Sequence, residues 1–485
     1  MTLKQATKNI VKIKEEEAEE TDFETAIAIA GFGAFNILLL SAAALSIFAT
    51  LFSATSMSFV IPTAECDLQL DLNQKGLLNA ITYAGMITGT IPWGFAADTI
   101  GRKKVLIAGL LSNAVFVVCC SLSQNVTQLL TFKFFDGLAI CGPYAVTLTY
   151  LSEFHGLKYR RRIVMIFGIL TSIAVLILPI IAYAVLPYQL DLKTDYISIH
   201  SWNIFLLITA VVPLLGGVLH IFCPQSPKYL MSQGRNSEAL KSIAIAYAIN
   251  RRSTIESYPI KLLVDEAPER KIRMNPEYKQ NLKTLSGKRK EAIIRFREKF
   301  DQLKPLFSKP YLPLALHVCF TIHQSIRLWM PQLFVTVEKY EQEHETMKDI
   351  CDVLDVVKNK TEPEESSNCE EMYLTPESLR NNMIVAAVSV VAFFIAFLIV
   401  NETGLKCLTI IACLYLAAMG VSVNNLLTIE VQLFPTIIRA IVILMSMGFG
   451  RFGALLGNIL FPYCVQINCL APFLFTAIMV FESFA

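Results

Sequence analysis

Polar side chains interrupt apolar runs long enough to cross a bilayer at Lys133, Asp136, His323, Arg327, Asn424 and Arg451. A charge at the centre of a membrane helix costs about 2.5–3.5 kcal/mol on insertion scales, so each position marks a ligand contact or a buried partner. Lys133 and Asp136 stand three apart on one helical face. They read either as a pair that neutralises itself or as a site for a solute or a proton. His323 lies near the middle of its run, with Arg327 one turn further out. These two line a cavity, or His323 packs through a hydrogen bond while Arg327 snorkels to the surface. Arg451 sits between Gly450 and Gly453, where snorkelling is hardest, and so faces a cavity or pairs with an acid on another helix. Asn424, beside Asn425, can bond a ligand or a neighbouring helix. The cations Lys133, Arg327 and Arg451 face the single acid Asp136, an excess that favours an organic anion if the groups share one cavity.

No arrangement for bond-making chemistry accompanies them. The 6 histidines are scattered, and none stands at motif spacing from a Ser, Cys or carboxylate. The phosphate-cradling pattern G-x-x-x-x-G-K-[ST] is absent, which argues against ATP-driven pumping. The 12 cysteines show no metal-type spacing. No enzyme activity, cofactor, metal or nucleic-acid partner is therefore expected. Composition points to lipid instead, with 54% hydrophobic against 17% charged residues.

The elements that must position these groups are apolar runs of about twenty residues. In the first half they are expected near residues 35–62, 76–96, 105–122, 129–151, 163–186 and 202–222. Gly85 and Gly89, four apart in the second run, allow close helix contact. No cleavable signal peptide is evident, since the first run follows a charged leader, residues 1–34. After a six-helix bundle over 35–224, the segment 225–310 turns polar. From Pro224 to Pro310 Lys and Arg outnumber Asp and Glu by about two to one. Amphipathic helices are expected there over 236–252 and 286–303. A second bundle, 311–485, begins with a span near 311–334 and an acidic loop over 335–381.

Charge in the connectors fixes the sides. The clusters Arg102–Lys104 and Arg160–Arg162, with the basic segment, belong in the cytosol, as does the N-terminus. The sequons at Asn125 and Asn359 then fall outside, where glycans are added, as does the acidic loop. Cys351 and Cys369 in that loop are candidates for a disulfide. After this loop about fifty residues precede Phe434, and the last apolar run, from Leu470, is short for a crossing.

Around Gly94-Phe95-Ala96-Ala97-Asp98-Thr99-Ile100-Gly101-Arg102-Lys103-Lys104 the sequence predicts a tight loop at the membrane surface, with glycines for the turn and cations in the cytosol. This stretch resembles the loop between the second and third helices of the major facilitator superfamily, G-x-x-x-D-x-x-G-R-[KR]-[KR]. Tyr150-Leu151-Ser152-Glu153-Phe154-His155 before three arginines, Cys223-Pro224-Gln225-Ser226-Pro227-Lys228, Phe434-Pro435-Thr436 through Arg439, and Gly450-Arg451-Phe452-Gly453 extend the likeness. Together they are similar to the synaptic vesicle glycoprotein 2-like branch, near the organic cation and anion transporters. The resemblance implies an all-α, multi-pass protein of two helix bundles and twelve helices, against which this sequence is expected to lack one helix and to have the last one clipped; it also implies gating roles for Gly94, Asp98, Gly101, Arg102, Glu153, Arg161 and Arg439. It implies a secondary transporter working by alternating access in the plasma or a vesicle membrane, with lipid, a small organic solute and a coupling ion as partners. The alternative is a non-transporting glycosylated membrane protein with a trafficking or receptor role, or an inactive shortened isoform. Three departures bear on gating: Gln225 stands where the family has an acid, Gln432 where an acid precedes L-F-P-T, and Gly404-Leu405-Lys406 where a second G-R-[KR] motif is expected. Losing such acids should weaken charge-assisted latches.

Overall fold

The structure is a computed structural model that describes residues 21–188, 190–193, 198–263, 379–380, 382–384, 386–387, 390–391 and 451–460. His323, Arg327, Asn359, Cys351, Cys369, Asn424, Arg439 and the second amphipathic stretch lie outside the described residues, as does the Arg161 side chain.

The first half is helical throughout its spans. In order come α1 (Phe23–Ala30), α2 (Ala34–Thr55), α3 (Met57–Ala64), α4 (Leu72–Thr99), α5 (Arg102–Ser121), α6 (Val126–Glu153), α7 (Leu157–Val185), α8 (Ser201–Phe222), α9 (Pro227–Ser232) and α10 (Asn236–Arg251). Side-chain caps open several of these helices. Asp71 accepts from the Gln74 N–H to open α4, Asn125 accepts from the Gln128 N–H at 2.9 Å to open α6, and Ser226 before Pro227 opens α9. Among the described residues five stretches are long and apolar enough to cross a membrane: Ala34–Ala64, Arg102–Ser121, Val126–Glu153, Lys158–Val185 and Ser201–Phe222. At 28 residues α4 also has the length, about 42 Å at 1.5 Å per residue, but is more polar. Apolar side chains such as Ile91, Val115, Leu207, Val211, Leu215 and Phe222 point outward, as lipid-facing surface requires.

The predicted loop over 94–104 is much shorter than expected. α4 continues through Gly94 and Asp98 to Thr99, and α5 begins at Arg102. Nothing between Phe95 and Thr99 breaks a helix, and the Thr99 hydroxyl donates back to the Phe95 carbonyl at 2.9 Å. The turn falls on Ile100 and Gly101, and Gly101 has φ +97°, which a side chain rarely adopts. Gly94 and Asp98 are therefore helical residues rather than loop residues.

Two further differences appear. The connector between α7 and α8 forms a two-stranded antiparallel ribbon just before α8, β1 (Asp191–Lys193) with β2 (Ser198–His200). The end of the expected leader is folded: Phe23, Ala26, Ile27 and Ala30 of α1 pack with Ile243 of α10 and with Tyr229 and Tyr258. The apolar face of the first amphipathic stretch is thus covered by protein. Glu24 holds α1 in place through Arg160 at 3.0 Å and Lys228 at 3.7 Å.

Candidate functional site

At the Gly101 end of the bundle a single guanidinium gathers three helices. Arg102 Nε lies 3.4 Å from Glu153 Oε1, its Nη1 lies 3.7 Å from Asp98 Oδ1, and Nη1 donates to the Ala97 carbonyl at 3.3 Å. The guanidinium also sits 5.5 Å from the centre of the Tyr229 ring. The second Glu153 oxygen accepts from the Ser226 hydroxyl at 2.5 Å, and that hydroxyl accepts from the Tyr229 N–H at 3.1 Å. The Tyr229 hydroxyl in turn donates to the Thr99 carbonyl at 2.8 Å. Asp98, Gly101, Arg102 and Glu153, which the resemblance groups, lie together here, whereas Gly94 lies more than a turn back along α4.

Gln225 does not leave a hole in this cluster. Its Oε1 accepts the Lys103 N–H at 3.0 Å, capping the free N-terminus of α5 from another element, while Lys103 Nζ donates to the Ile221 carbonyl at 2.8 Å. A neutral amide suffices for this, because the donor is a backbone N–H and the cation next to it is already shared. A Cβ at Gly101 would come within 2.3 Å of the Gln225 amide nitrogen, so the turn and the Gln are fitted to one another. Glu153→Ala would strand a mostly buried Arg102 on the half-exposed Asp98 and cost about 1.5–3 kcal/mol, the range for hydrogen bonds to a charged group. Thermal unfolding in detergent micelles should show a clear fall in Tm for this variant, and a smaller one for Glu153→Gln.

A second polar cluster lies inside the bundle. Lys133 and Asp136 of α6 are 1% and 0% exposed, and their Nζ and Oδ2 are 2.6 Å apart. The ammonium also donates to the Ser53 carbonyl at 3.0 Å and the Ser56 hydroxyl at 3.3 Å, both at the end of α2. Asp136 Oδ1 accepts from the Ser53 hydroxyl at 2.9 Å and from Asn113 Nδ2 of α5. The pair therefore clamps three helices, and its charges are spent on each other and on hydroxyl and amide partners. A tight crevice beside it is lined by Ala49, Phe52, Val117, Thr209 and Pro213.

Arg451 lies in the described helical stretch 451–460 and is 8% exposed. Its Nη1 lies 2.9 Å from Cys141 Sγ on α6 and 3.4 Å from the Thr90 hydroxyl on α4. Neither is an acid. Three residues on, Ala454 packs with Tyr83, Met86 and Ile140, so this stretch of the second half lies directly against α4 and α6. Asp136 and Arg451 are thus each placed at depth, and Asp136 is held by Lys133, Ser53 and Asn113. Asn125 is exposed at the start of α6, as a glycan acceptor must be.

Sequence reading missed several partners: Ser53 and Asn113 at the pair, Thr90 and Cys141 at Arg451, and Ser226 and Tyr229 at Arg102. Only Ser226 carried a local signal, as a Ser immediately before a Pro. The others are ordinary helix residues whose role depends on how neighbouring helices are rotated.

With this geometry in hand, comparison with known proteins is specific. Residues 43–347 match the family model of the Major Facilitator Superfamily, well over half of the chain. Synaptic vesicle glycoprotein 2B of Rattus norvegicus is 29% identical over 245 residues, covering 50% of this chain and 36% of that protein. Synaptic vesicle glycoprotein 2A of Homo sapiens is 27% identical over 243 residues, covering 50% of this chain and 33% of that one. The chain thus spans about a third of the length of these curated relatives. In fold it is similar to the proton:xylose symporter XylE with bound sugar analogue, with TM-score 0.59, 14% identity and coverage of 93% and 94% of the two chains. The inward open form of the xylose transporter XylE from E. coli gives TM-score 0.56 at 15% identity, covering 92% and 96%. The all-α architecture, the membrane helices, the Arg102 cluster and the family match agree: this chain is a multi-pass membrane protein that belongs to the major facilitator superfamily, with the synaptic vesicle glycoprotein 2 proteins among its relatives.

Proposed function

We propose that this chain is a secondary transporter that moves a small organic anion by alternating access, with the Arg102 end toward the cytosol. Arg451 carries the reading. Its guanidinium is buried against a hydroxyl and a thiol, and no carboxylate pairs with it among the described residues. A buried cation whose donors meet only neutral groups gains most from an anionic ligand, because the charge-assisted hydrogen bond forms away from water. Its place between the second half and α4 and α6 suits a site at the interface of two rocking bundles. The orientation rests on Arg102–Lys104 and Arg160–Arg162, which the positive-inside rule assigns to the cytosol. Glycans at Asn125 and Asn359 and coupling to an ion belong to the same proposal.

Arg451→Ala should lower uptake of a fluorescent organic anion into proteoliposomes by about 10- to 100-fold, the equivalent of about 1.5–3 kcal/mol for a hydrogen bond to a charged group. Arg451→Lys should retain part of it. Equal uptake by the wild type and Arg451→Ala would retire the anion site. No uptake of any solute by the wild type above protein-free vesicles would favour the reading as a non-transporting glycoprotein. That second reading draws support from the names of the curated relatives, which are vesicle glycoproteins.

A further inference from the structure

Cys66 stands in the short link between α3 and α4, at the end of the bundle remote from Gly101, and its sulfur is disulfide-bonded. Among the described residues the other cysteines, Cys119, Cys120, Cys141 and Cys223, are free. Every remaining cysteine of the chain lies at or beyond residue 319. No described cysteine is therefore left to pair with Cys66. A separate observation places second-half residues at this rim: Leu379 is 0% exposed within the same cluster as Leu68, Leu70 and Trp202.

We propose that Cys66 staples the two halves of the protein on the face opposite Arg102, bonded to one of the cysteines at or beyond residue 319, of which Cys351 and Cys369 stand in the acidic loop that the charge rule assigns to that face. The bond forms when two thiols give up two protons and two electrons to the disulfide of an oxidised dithiol oxidoreductase, through two successive exchanges, in an oxidising compartment. The Cys66 link is well placed to transmit the tether. Glu65 is held by Lys75 of α4 at 2.6 Å, and Asp67 accepts from the Trp202 indole of α8 at 2.9 Å, so the residues on either side are fixed to the bundle. A staple here lets the Arg102 ends of the two halves part more freely than the Cys66 ends. This consequence for gating rests on the transport reading; the bond itself does not.

The test uses the full chain with a protease site inserted between residues 264 and 310, cut after purification and run on denaturing gels with free thiols alkylated first. Without reductant the cut protein should migrate as one species, and with reductant as two fragments. Cys66→Ser should give two fragments in both lanes. Two fragments without reductant in the otherwise unchanged chain would overturn the proposal, and so would a Cys66→Ser protein that stays joined. Should that variant fail to fold, peptide mapping of the unreduced parent decides: Cys66 linked to a peptide from beyond residue 319 supports the staple, and an alkylated Cys66 ends it.

Discussion

Lys133→Met is expected to cost about 3–5 kcal/mol of stability, the range for removing one partner of a buried ion pair. Every ammonium hydrogen of Lys133 is in use, on Asp136, the Ser53 carbonyl and the Ser56 hydroxyl. Methionine fills similar volume but leaves Asp136 charged or newly protonated in the bundle interior, with the Ser53 carbonyl also short of a donor. The double variant Lys133→Met/Asp136→Leu removes both charges and should recover much of the loss, because a buried pair replaced by apolar residues is often close to neutral. Recovery will be incomplete, since Ser53 and Asn113 lose an acceptor they share. Thermal unfolding of the purified protein in micelles checks both variants. A single variant with an unchanged Tm would refute the clamp. A double variant that folds well yet transports nothing would assign the pair a part in coupling as well as in packing.

How much of this was legible beforehand differs by level. The spans were readable because lipid enforces run length, and the observed helices overlap all six expected runs of the first half. Boundaries were less so, since α4 runs on into the expected loop as far as Thr99 and the turn shrinks to Ile100 and Gly101. Lys133 with Asp136 was visible as a pair because helical spacing alone brings residues three apart together. That Ser53 and Asn113 complete it was not, for their convergence depends on the rotation of α2 and α5 about their own axes. The same holds at Arg451, where an acid was one expectation and Thr90 and Cys141 are what the helices present.

Gln225 shows the limit of arguing from a departure. The missing acid suggested a weakened latch, yet Glu153 supplies the carboxylate to Arg102 and Gln225 caps α5. A charge absent from a motif is a loss only if the group facing it is charged and otherwise unpaired. The end of the leader carried no reading of its own, yet Phe23 and Ile27 sit on a short helical period that α10 covers. A helix of 8 residues gives too little periodicity to read without its partner.

Gly137→Val should abolish the folded protein. A Cβ at Gly137 would stand 2.0 Å from the Thr82 carbonyl oxygen and 3.1 Å from Thr82 Cα, and one at Gly85 would stand 2.0 Å from the Phe134 carbonyl oxygen. These neighbours are backbone, so no rotamer change relieves the overlap, and α4 and α6 must separate. Inserting one methylene into a packed core costs about 1–3 kcal/mol where side chains can shift, and here they cannot, so the penalty should pass the top of that range. Separation would also pull Lys133 and Asp136 away from their partners and move Thr90 relative to Cys141, so local overpacking spreads to both buried polar clusters. Gly156→Ala is the matched control. A Cβ there meets Ile27 at 3.5 Å, ordinary contact, and the residue has φ −62°. Size-exclusion profiles of detergent extracts distinguish the outcomes: a monodisperse peak for Gly156→Ala and aggregate for Gly137→Val. A monodisperse Gly137→Val protein with wild-type Tm would mean that α4 and α6 do not cross as closely as described.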